Sequence, residues 1–312
     1  MKAERINREI IITAKERRCI QLIQLEMVIE IDRICTMKHI PYRLAGGSLL
    51  GAVRHKGFIP WDPDMDISMD REDYNRFYEV CKTELDKKRF FLQEWRTDKD
   101  YRWNYARILR KDTVFVRAGH EMIKSKNGVF VDIICADSVP DNPLLRPIHS
   151  FSCFLIRKVL WSVVGKELHP NSFMRALFRA LSFIPRNMVF HFRDWVIEWS
   201  GKSRTNLCRN MAHKVSSYSE SKWGYPRSIT KEDYYKVKIG QLNWDHGYIR
   251  LLFEGRRFMA VHNYDEALKR TFGDYMKLPP VEQRISHIPC SALKLVKPEI
   301  DDYKELLKKV KV

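Results

Sequence analysis

Apolar side chains occupy every second position of residues 65–69, and the positions between them hold Asp66 and Ser68, with Asp64 one step upstream. A two-residue period is typical of a strand with one buried face. The pattern therefore predicts a half-buried strand that carries Asp64 and Asp66 on the same face.

The remaining pattern predicts both helices and strands. Apolar residues recur at helical spacing over about residues 6–37, which indicates one long or two short amphipathic helices. Asp70 is a plausible N-cap for a helix that follows it. Short apolar runs predict strands, and these lie at residues 41–45, 105–109, 113–116 and 129–135, the second and third being joined by a charged turn at 110–112. An α+β fold follows.

Residues 141–225 differ from the rest, since they combine apolar helical stripes with Arg and Lys and include Trp161, Trp195 and Trp199. Basic faces with interfacial aromatics suit an anionic membrane surface, but packing on the core explains the same stripes. We divide the chain into a catalytic core with N-terminal helices (1–140), this helical subdomain (141–225) and a part that completes the core and ends in a lysine-rich tail (226–312).

Composition limits the classes of binding partner but does not select one of them. The 312 residues are 45% hydrophobic and carry a formal net charge of +17, so a real core and acidic partners are expected. The seven cysteines are scattered, which favours a reducing compartment. Neither a signal peptide nor an unbroken run of eighteen apolar residues is evident. We expect a cytoplasmic protein, with peripheral contact at the inner face of the membrane as the alternative.

The chemistry is concentrated just before and within the first predicted strand. Two neighbouring carboxylates repel each other, so a fold that keeps Asp64 and Asp66 together usually supplies a cation, and Mg²⁺ prefers such oxygen ligands. Upstream, the Gly46-Gly47 pair lets backbone approach a ligand, and Ser48 begins what reads as a helix, whose N-terminus favours phosphate. A metal site beside a phosphate cradle indicates chemistry on a nucleotide.

The same segment resembles a known family. Residues 46–62 read GGSLLGAVRHKGFIPWD and are followed by DMDI at 64–67 and REDY at 71–74. This run is similar to the LicD family of phosphotransferases, which includes phosphocholine transferases and fukutin-related proteins. The resemblance implies a nucleotidyltransferase-like mixed β-sheet flanked by helices, with the additional helical subdomain beside it. Pro63 stands where that family often has an acid.

A third carboxylate, Asp132, interrupts an apolar run. Burying a lone carboxylate is costly unless it is paired or on a metal, so Asp132 either faces solvent from an edge strand or completes the metal site beside Asp64 and Asp66. The resemblance favours the second interpretation. It also implies phosphate contact by Arg107, for which an exposed strand arginine is the alternative. It favours substrate binding by three basic residues between the cradle and the carboxylates, for which a solvated loop is the alternative: Arg54, His55 and Lys56.

The resemblance implies transfer of phosphocholine from CDP-choline to a cell-surface glycan precursor of the lipopolysaccharide or teichoic acid type, with Mg²⁺ (or Mn²⁺) as cofactor and CMP released. The catalytic and metal-binding residues would be Asp64, Asp66 and Asp132. Other donors (CDP-ribitol, CDP-glycerol), a nucleotidyltransferase and a non-enzymatic anionic-surface protein stay open. Ile67 stands where an EF-hand loop needs glycine, which argues against that motif, and no nucleic-acid motif is present.

Overall fold

The computed structural model describes residues 10–138, 140, 144–201, 208–210, 247–284 and 289–308. Its helices are α1 (Ala14–Met37), α2 (Gly46–Arg54), α3 (Arg71–Glu84), α4 (Leu145–Leu168), α5 (Ser172–Leu181), α6 (Arg186–Gly201), α7 (Tyr264–Phe272) and α8 (Tyr303–Lys308). Its strands are β1 (Arg43–Leu44), β2 (Asp66–Asp70), β3 (Phe90–Gln93), β4 (Ala106–Arg110), β5 (Val114–Arg117), β6 (Phe130–Ser138), β7 (Cys208–Asn210), β8 (Tyr248–Phe253), β9 (Arg256–Val261) and β10 (Cys290–Lys294).

One mixed sheet forms the centre of the fold. Its strands follow the order β1-β2-β6-β4-β3, and β7 pairs with the end of β6. Strands β2 and β6 run parallel, whereas β1–β2, β4–β6, β3–β4 and β6–β7 are antiparallel. Two further pairs, β5–β10 and β8–β9, form separate two-stranded sheets. The predicted α+β fold with a helix-flanked mixed sheet is confirmed.

Helix α1 is a single helix that packs against the central sheet. Thr13 and Glu16 form a capping box at its start, in which each side chain accepts a hydrogen bond from the other residue's backbone N–H. Its apolar residues from Ile20 to Ile34 are almost fully buried, apart from the partly buried Ile29. Gln24 donates from Nε2 to the carbonyl of Phe130 on β6 at 3.0 Å. The helix thus covers the sheet strand that carries Asp132.

The sequence prediction was wrong about the start of β2, which begins at Asp66. Asp64 precedes the strand, and its N–H donates to Oδ1 of Asp62 at 3.1 Å. Pro63 has no N–H to give to a neighbouring strand. The alternating pattern begins at Asp64, but the aspartate turn and the proline keep the strand from beginning before Asp66.

One other local prediction needs correction, because helix α2 begins at Gly46, two residues before Ser48, with Ala45 as its N-cap. The two strands predicted on either side of the 110–112 turn are confirmed as β4 and β5. They do not pair with each other, because β4 joins the central sheet and β5 pairs with β10. The partner strand β10 lies far along the chain, so the local sequence pattern does not indicate this pairing.

Helices α4, α5 and α6 form what we call the three-helix unit, which has buried apolar residues of its own, among them Ile156, Phe190 and Val196. One described helical span, Pro147–Leu168, is long and apolar enough to cross a membrane, and 44% of that window is buried. Arg157 and Lys158 interrupt its apolar run. The division into domains stays a prediction, and residues 202–207 and 211–246 lie outside the described chain.

Candidate active site

Three charged side chains form a row across the central sheet. The register pairs Asp66 with Asp132 on the parallel strands β2 and β6, and it pairs Asp132 with Arg107 on the antiparallel strands β6 and β4. Paired residues project from the same face of a sheet. The next residues along, Ile67 and Ile133, project from the other face and are fully buried. We call Asp66, Asp132 and Arg107 the charged row.

Within this row, Arg107 holds Asp132 directly. Its Nε donates to Oδ1 of Asp132 at 2.6 Å, and its Nη2 donates to the hydroxyl of Tyr105 at 3.1 Å. The guanidinium carbon lies 3.9 Å from the ring centroid of Phe130. An arginine fixed by a carboxylate, a hydroxyl and an aromatic face has little rotational freedom. The predicted strand position of Arg107 is confirmed, and it faces the carboxylates.

The glycine turn at the start of α2 lies against the carboxylates. Gly46 has a φ of +50°, a conformation that favours glycine, and a Cβ there would lie 3.9 Å from Oδ2 of Asp66. A Cβ at Gly47 would lie 3.0 Å from Oδ2 of Asp62. Within the described chain, no side chain caps this helix N-terminus. The first turn of α2 therefore presents backbone rather than side chains beside the carboxylates.

Ser48 connects the turn to the charged row. Its Oγ accepts a hydrogen bond from the backbone N–H of Asp66 at 2.8 Å, and the residue is buried. Since Asp66 is the first residue of β2, the serine fixes the point where the strand enters the site. The hydroxyl thus has a positioning role that the sequence did not predict.

Asp64 lies beside these groups although it is outside the strand. Its Oδ1 is buried and has no hydrogen-bond partner among the described residues. Burial, followed by the negative charges of Asp132 and Asp62, raises the pKa of Asp64 to about 7, against a smaller opposing effect of Arg117 and Arg107. The structure therefore places Asp64 near Asp132, which is itself paired with Asp66 on the neighbouring strand.

The three basic residues after the glycine turn have described contacts away from the three carboxylates. Arg54 donates from Nη1 to the carbonyl of Tyr275 at 2.8 Å, which ties α2 to the C-terminal part. His55 and Lys56 line a cavity of about 380 Å³ that none of the three carboxylates lines. Lys56 donates from Nζ to the carbonyl of Val53 at 3.0 Å. Phosphate contact by these residues stays a prediction.

Several residues near the charged row were missed from the sequence. The rings of Tyr101 and Tyr105 lie 6.5 Å apart, edge to face, and the buried hydroxyl of Tyr101 has no hydrogen-bond partner among the described residues. Burial, with the charge of Arg117, lowers the pKa of His120 to about 4. Tyr105 lies two positions from Arg107, so the strand period would have placed both on one face. Nothing in the local pattern indicates Arg117 or His120.

In the described ranges of the chain, no group of three His, Cys, Asp or Glu side chains could hold a metal ion as the side chains now stand. Arg107 donates from Nε to Oδ1 of Asp132, an oxygen that a metal site with three carboxylates would use. Metal dependence therefore remains a proposal.

Comparison with known proteins identifies the family. The profile described as "LicD/FKTN/FKRP, nucleotidyltransferase domain" matches residues 39–140, which contain the glycine turn and the charged row. Lipopolysaccharide cholinephosphotransferase LicD of Haemophilus influenzae is 30% identical over 274 residues, which cover 86% of this chain and 94% of that protein. The chain belongs to the LicD family. An uncharacterized protein of Rickettsia typhi is 38% identical over 65 residues, covering 21% of this chain and 20% of that protein.

Family membership confirms the expectation of a LicD-like transferase. The match extends well beyond the segment on which the resemblance rests, since it covers most of both chains. The charged row and the glycine turn lie inside the matched nucleotidyltransferase domain. These residues are therefore where the transfer chemistry of this LicD-family protein is to be sought.

Proposed function

We propose that this LicD-family protein transfers phosphocholine from CDP-choline to a hydroxyl of a cell-surface glycan precursor and releases CMP. The observation that carries the proposal is the pairing of Asp66 with Asp132 on parallel strands, directly beside a glycine-rich helix start. The name of the Haemophilus relative, a lipopolysaccharide cholinephosphotransferase, supports the donor group and the acceptor class.

The oxygen chemistry of these carboxylates suits a divalent cation such as Mg²⁺, or Mn²⁺ in its place, although the described side chains would have to move to supply three ligands. All three candidate ligands, Asp64, Asp66 and Asp132, offer the oxygen donors that hard cations prefer. The buried Oδ1 of Asp64, which has no hydrogen-bond partner among the described residues, is an acceptor of the kind that a cation satisfies. When bound, the cation would neutralise charge on the donor diphosphate. Arg107 would have to share or release Asp132 for all three carboxylates to take part.

The chain's own residues would supply the remaining steps. Backbone N–H groups of Gly46 and Gly47 would bind the diphosphate, because the helix start favours anions. Arg107 would stabilise negative charge on the transferred phosphoryl group during in-line displacement. Asp132 would accept the proton of the attacking hydroxyl. Ser48 would keep Asp66 in place through its hydrogen bond to the strand.

Ligand-dependent thermal unfolding tests the donor without any acceptor. The protein is heated with CDP-choline, CDP-ribitol, CDP-glycerol, CTP, ATP or a UDP-sugar, each with Mg²⁺ or EDTA. A ligand at about a hundred times its dissociation constant adds roughly 2.7 kcal/mol to the free energy of unfolding. We expect a Mg²⁺-dependent shift with CDP-choline that Asp66→Asn abolishes.

Asp70→Asn is the matched control for this experiment. Asp70 ends the same strand as Asp66 but pairs with Arg43 at 2.8 Å, so its variant should keep the ligand shift relative to its own baseline. A shift with CDP-ribitol or CDP-glycerol alone would replace the donor and keep the site. No shift with any nucleotide would overturn the proposed function and favour a protein that only binds anionic surfaces.

A further inference from the structure

The exposed apolar residues of this protein are concentrated on the three-helix unit. Of the 21 large hydrophobic residues that are exposed in the described chain, 13 lie between residues 144 and 195. They are Leu144, Ile148, Phe151, Phe154, Leu155, Leu168, Phe173, Leu177, Phe183, Ile184, Met188, Phe192 and Trp195. Exposed apolar clusters of this kind mark interaction surfaces.

This outer surface is separate from the unit's internal packing. Helix α4 packs against both α5 and α6 and buries residues such as Ile156 and Phe190 between them. The outward side chains are far more accessible, with Phe173 76% exposed and Phe183 81% exposed. Internal packing therefore explains one set of apolar residues on these helices and leaves the other unexplained.

Basic and aromatic side chains accompany the exposed residues. Residues 144–201 contain eight Arg or Lys and three Asp or Glu, a net charge of +5. Arg157 and Lys158 lie 5.6 and 5.4 Å from the ring centroid of Phe154. Phe192 and Trp195 stack in an exposed pair, with centroids 5.8 Å apart. Apolar side chains with a basic surround complement a surface that is apolar inside and anionic outside.

We propose that the outer face of the three-helix unit docks on an anionic lipid bilayer, with its helices lying at the membrane surface. The span Pro147–Leu168 has the length to cross a membrane, but α4 is engaged along its other side. A Cβ at Gly165 would come within 2.7 Å of the Phe178 ring, which shows how closely α4 and α5 approach. A surface position keeps this packing and still buries the exposed rings in the headgroup region.

The docking face is linked to the charged row through one loop. Arg186, at the start of α6, donates from Nη1 to the carbonyls of Asp98 and Tyr101 at 2.9 and 2.7 Å. The Tyr101 ring in turn contacts Tyr105, whose hydroxyl accepts from Arg107. Docking would therefore hold the site near the membrane, where a lipid-linked acceptor resides; this use of the surface rests on the proposed function.

Vesicle co-sedimentation tests the docking. The full chain is spun with vesicles of phosphatidylcholine alone or with about a third phosphatidylglycerol. We expect the protein to bind the anionic vesicles. Binding should weaken roughly tenfold or more in Phe173→Ser/Phe183→Ser, which removes apolar area that the bilayer would bury. It should weaken by a similar factor in Lys166→Gln/Arg179→Gln, which removes about one favourable charge per residue. Far-UV circular dichroism and thermal unfolding establish that the variants fold.

The control is Ile11→Ser/Val281→Ser, which changes residues that are 90% and 72% exposed but lie outside the three-helix unit. It should bind anionic vesicles as the unmodified protein does. Equal weakening in this control, equal binding to neutral vesicles, or no binding would overturn the proposal. So would a dimer in sedimentation equilibrium that Phe173→Ser/Phe183→Ser dissociates, because a second copy would then cover the face.

Failure of docking and failure of the proposed function are distinguishable. Co-sedimentation needs no donor, and the donor-induced thermal shift needs no vesicles. Phe173→Ser/Phe183→Ser should keep the CDP-choline shift while losing vesicle binding. Vesicle binding without a thermal shift from any nucleotide donor would support the docking surface and reject the proposed transferase function.

Discussion

Arg107 donates from Nε to Oδ1 of Asp132 at 2.6 Å across two antiparallel strands, and both side chains are 14% exposed. The ion pair is thus largely withdrawn from water, where removing one partner leaves the other charge without compensation. The same carboxylate lies beside Asp66 and Asp64, so the arginine offsets a concentration of negative charge. Loss of Arg107 should therefore lower the free energy of unfolding.

Replacing Arg107 by glutamine should lower the free energy of unfolding by roughly 3 to 5 kcal/mol in metal-free buffer, because Asp132 would keep its charge without a partner. Urea unfolding measures the change. The double variant Arg107→Gln/Asp132→Asn should recover part of the loss, since it removes both charges.

Arg76→Gln is the control for this ion pair. Arg76 pairs with Asp73 at 3.4 Å and is 50% exposed, so its removal should cost about 0 to 1 kcal/mol. An equally small cost for Arg107→Gln would contradict the view that Asp132 depends on its arginine.

Ser48→Ala should destabilise the ligand-free protein by roughly 1 to 2 kcal/mol, because the N–H of Asp66 would lose its acceptor in a part-buried position. Ser182→Ala is the comparison, since its exposed hydroxyl only donates to the carbonyl of Arg179. Chemical denaturation without nucleotide measures both. An unchanged stability for Ser48→Ala, with weaker donor binding, would assign the hydroxyl to phosphate instead.

Gly51→Ala should also destabilise, although alanine normally stabilises a helix by roughly 0.5 to 1 kcal/mol over glycine. A Cβ at this position would lie 2.5 Å from the backbone carbonyl oxygen of Gly57. Backbone yields less easily than a side chain, so we expect a loss of roughly 1 to 3 kcal/mol. Thermal unfolding decides the sign, and a gain in stability would refute this close approach.

The sequence predicted the parts of the site that depend on local pattern and motif. The glycine turn, the neighbouring aspartates and the strand that carries Asp132 all follow from residue types and spacing. Their family resemblance joined them into one site, and the register of Asp66 with Asp132 agrees with that expectation. Period-two spacing also places Tyr105 on the same strand face as Arg107.

The parts that failed depend on contacts distant in the chain. Alternation continued upstream of Asp66, but the turn at Asp62 and Pro63 ends the strand there. Strand β5 leaves β4 to pair with β10, more than 160 residues later. Arg117 belongs to that separate pair and affects Asp64 through its charge, so no local spacing could connect the two residues.

The last prediction concerns Asp64, whose pKa of about 7 exceeds its ordinary value because of burial and two neighbouring carboxylates. In the unfolded chain the carboxyl ionises near pH 4, so between about pH 4 and pH 7 the folded state holds a proton that the unfolded state has lost. This group's contribution to stability is therefore complete below about pH 4 and falls by roughly 4 kcal/mol as the pH rises to about 7. Asp64→Asn removes the titration. In EDTA, the variant should match the unmodified protein near pH 4 and exceed its free energy of unfolding by roughly 2 to 4 kcal/mol at about pH 8. Urea unfolding at both pH values measures the gap. A gap of the same size at both would show that ionisation of Asp64 is not what the folded site disfavours.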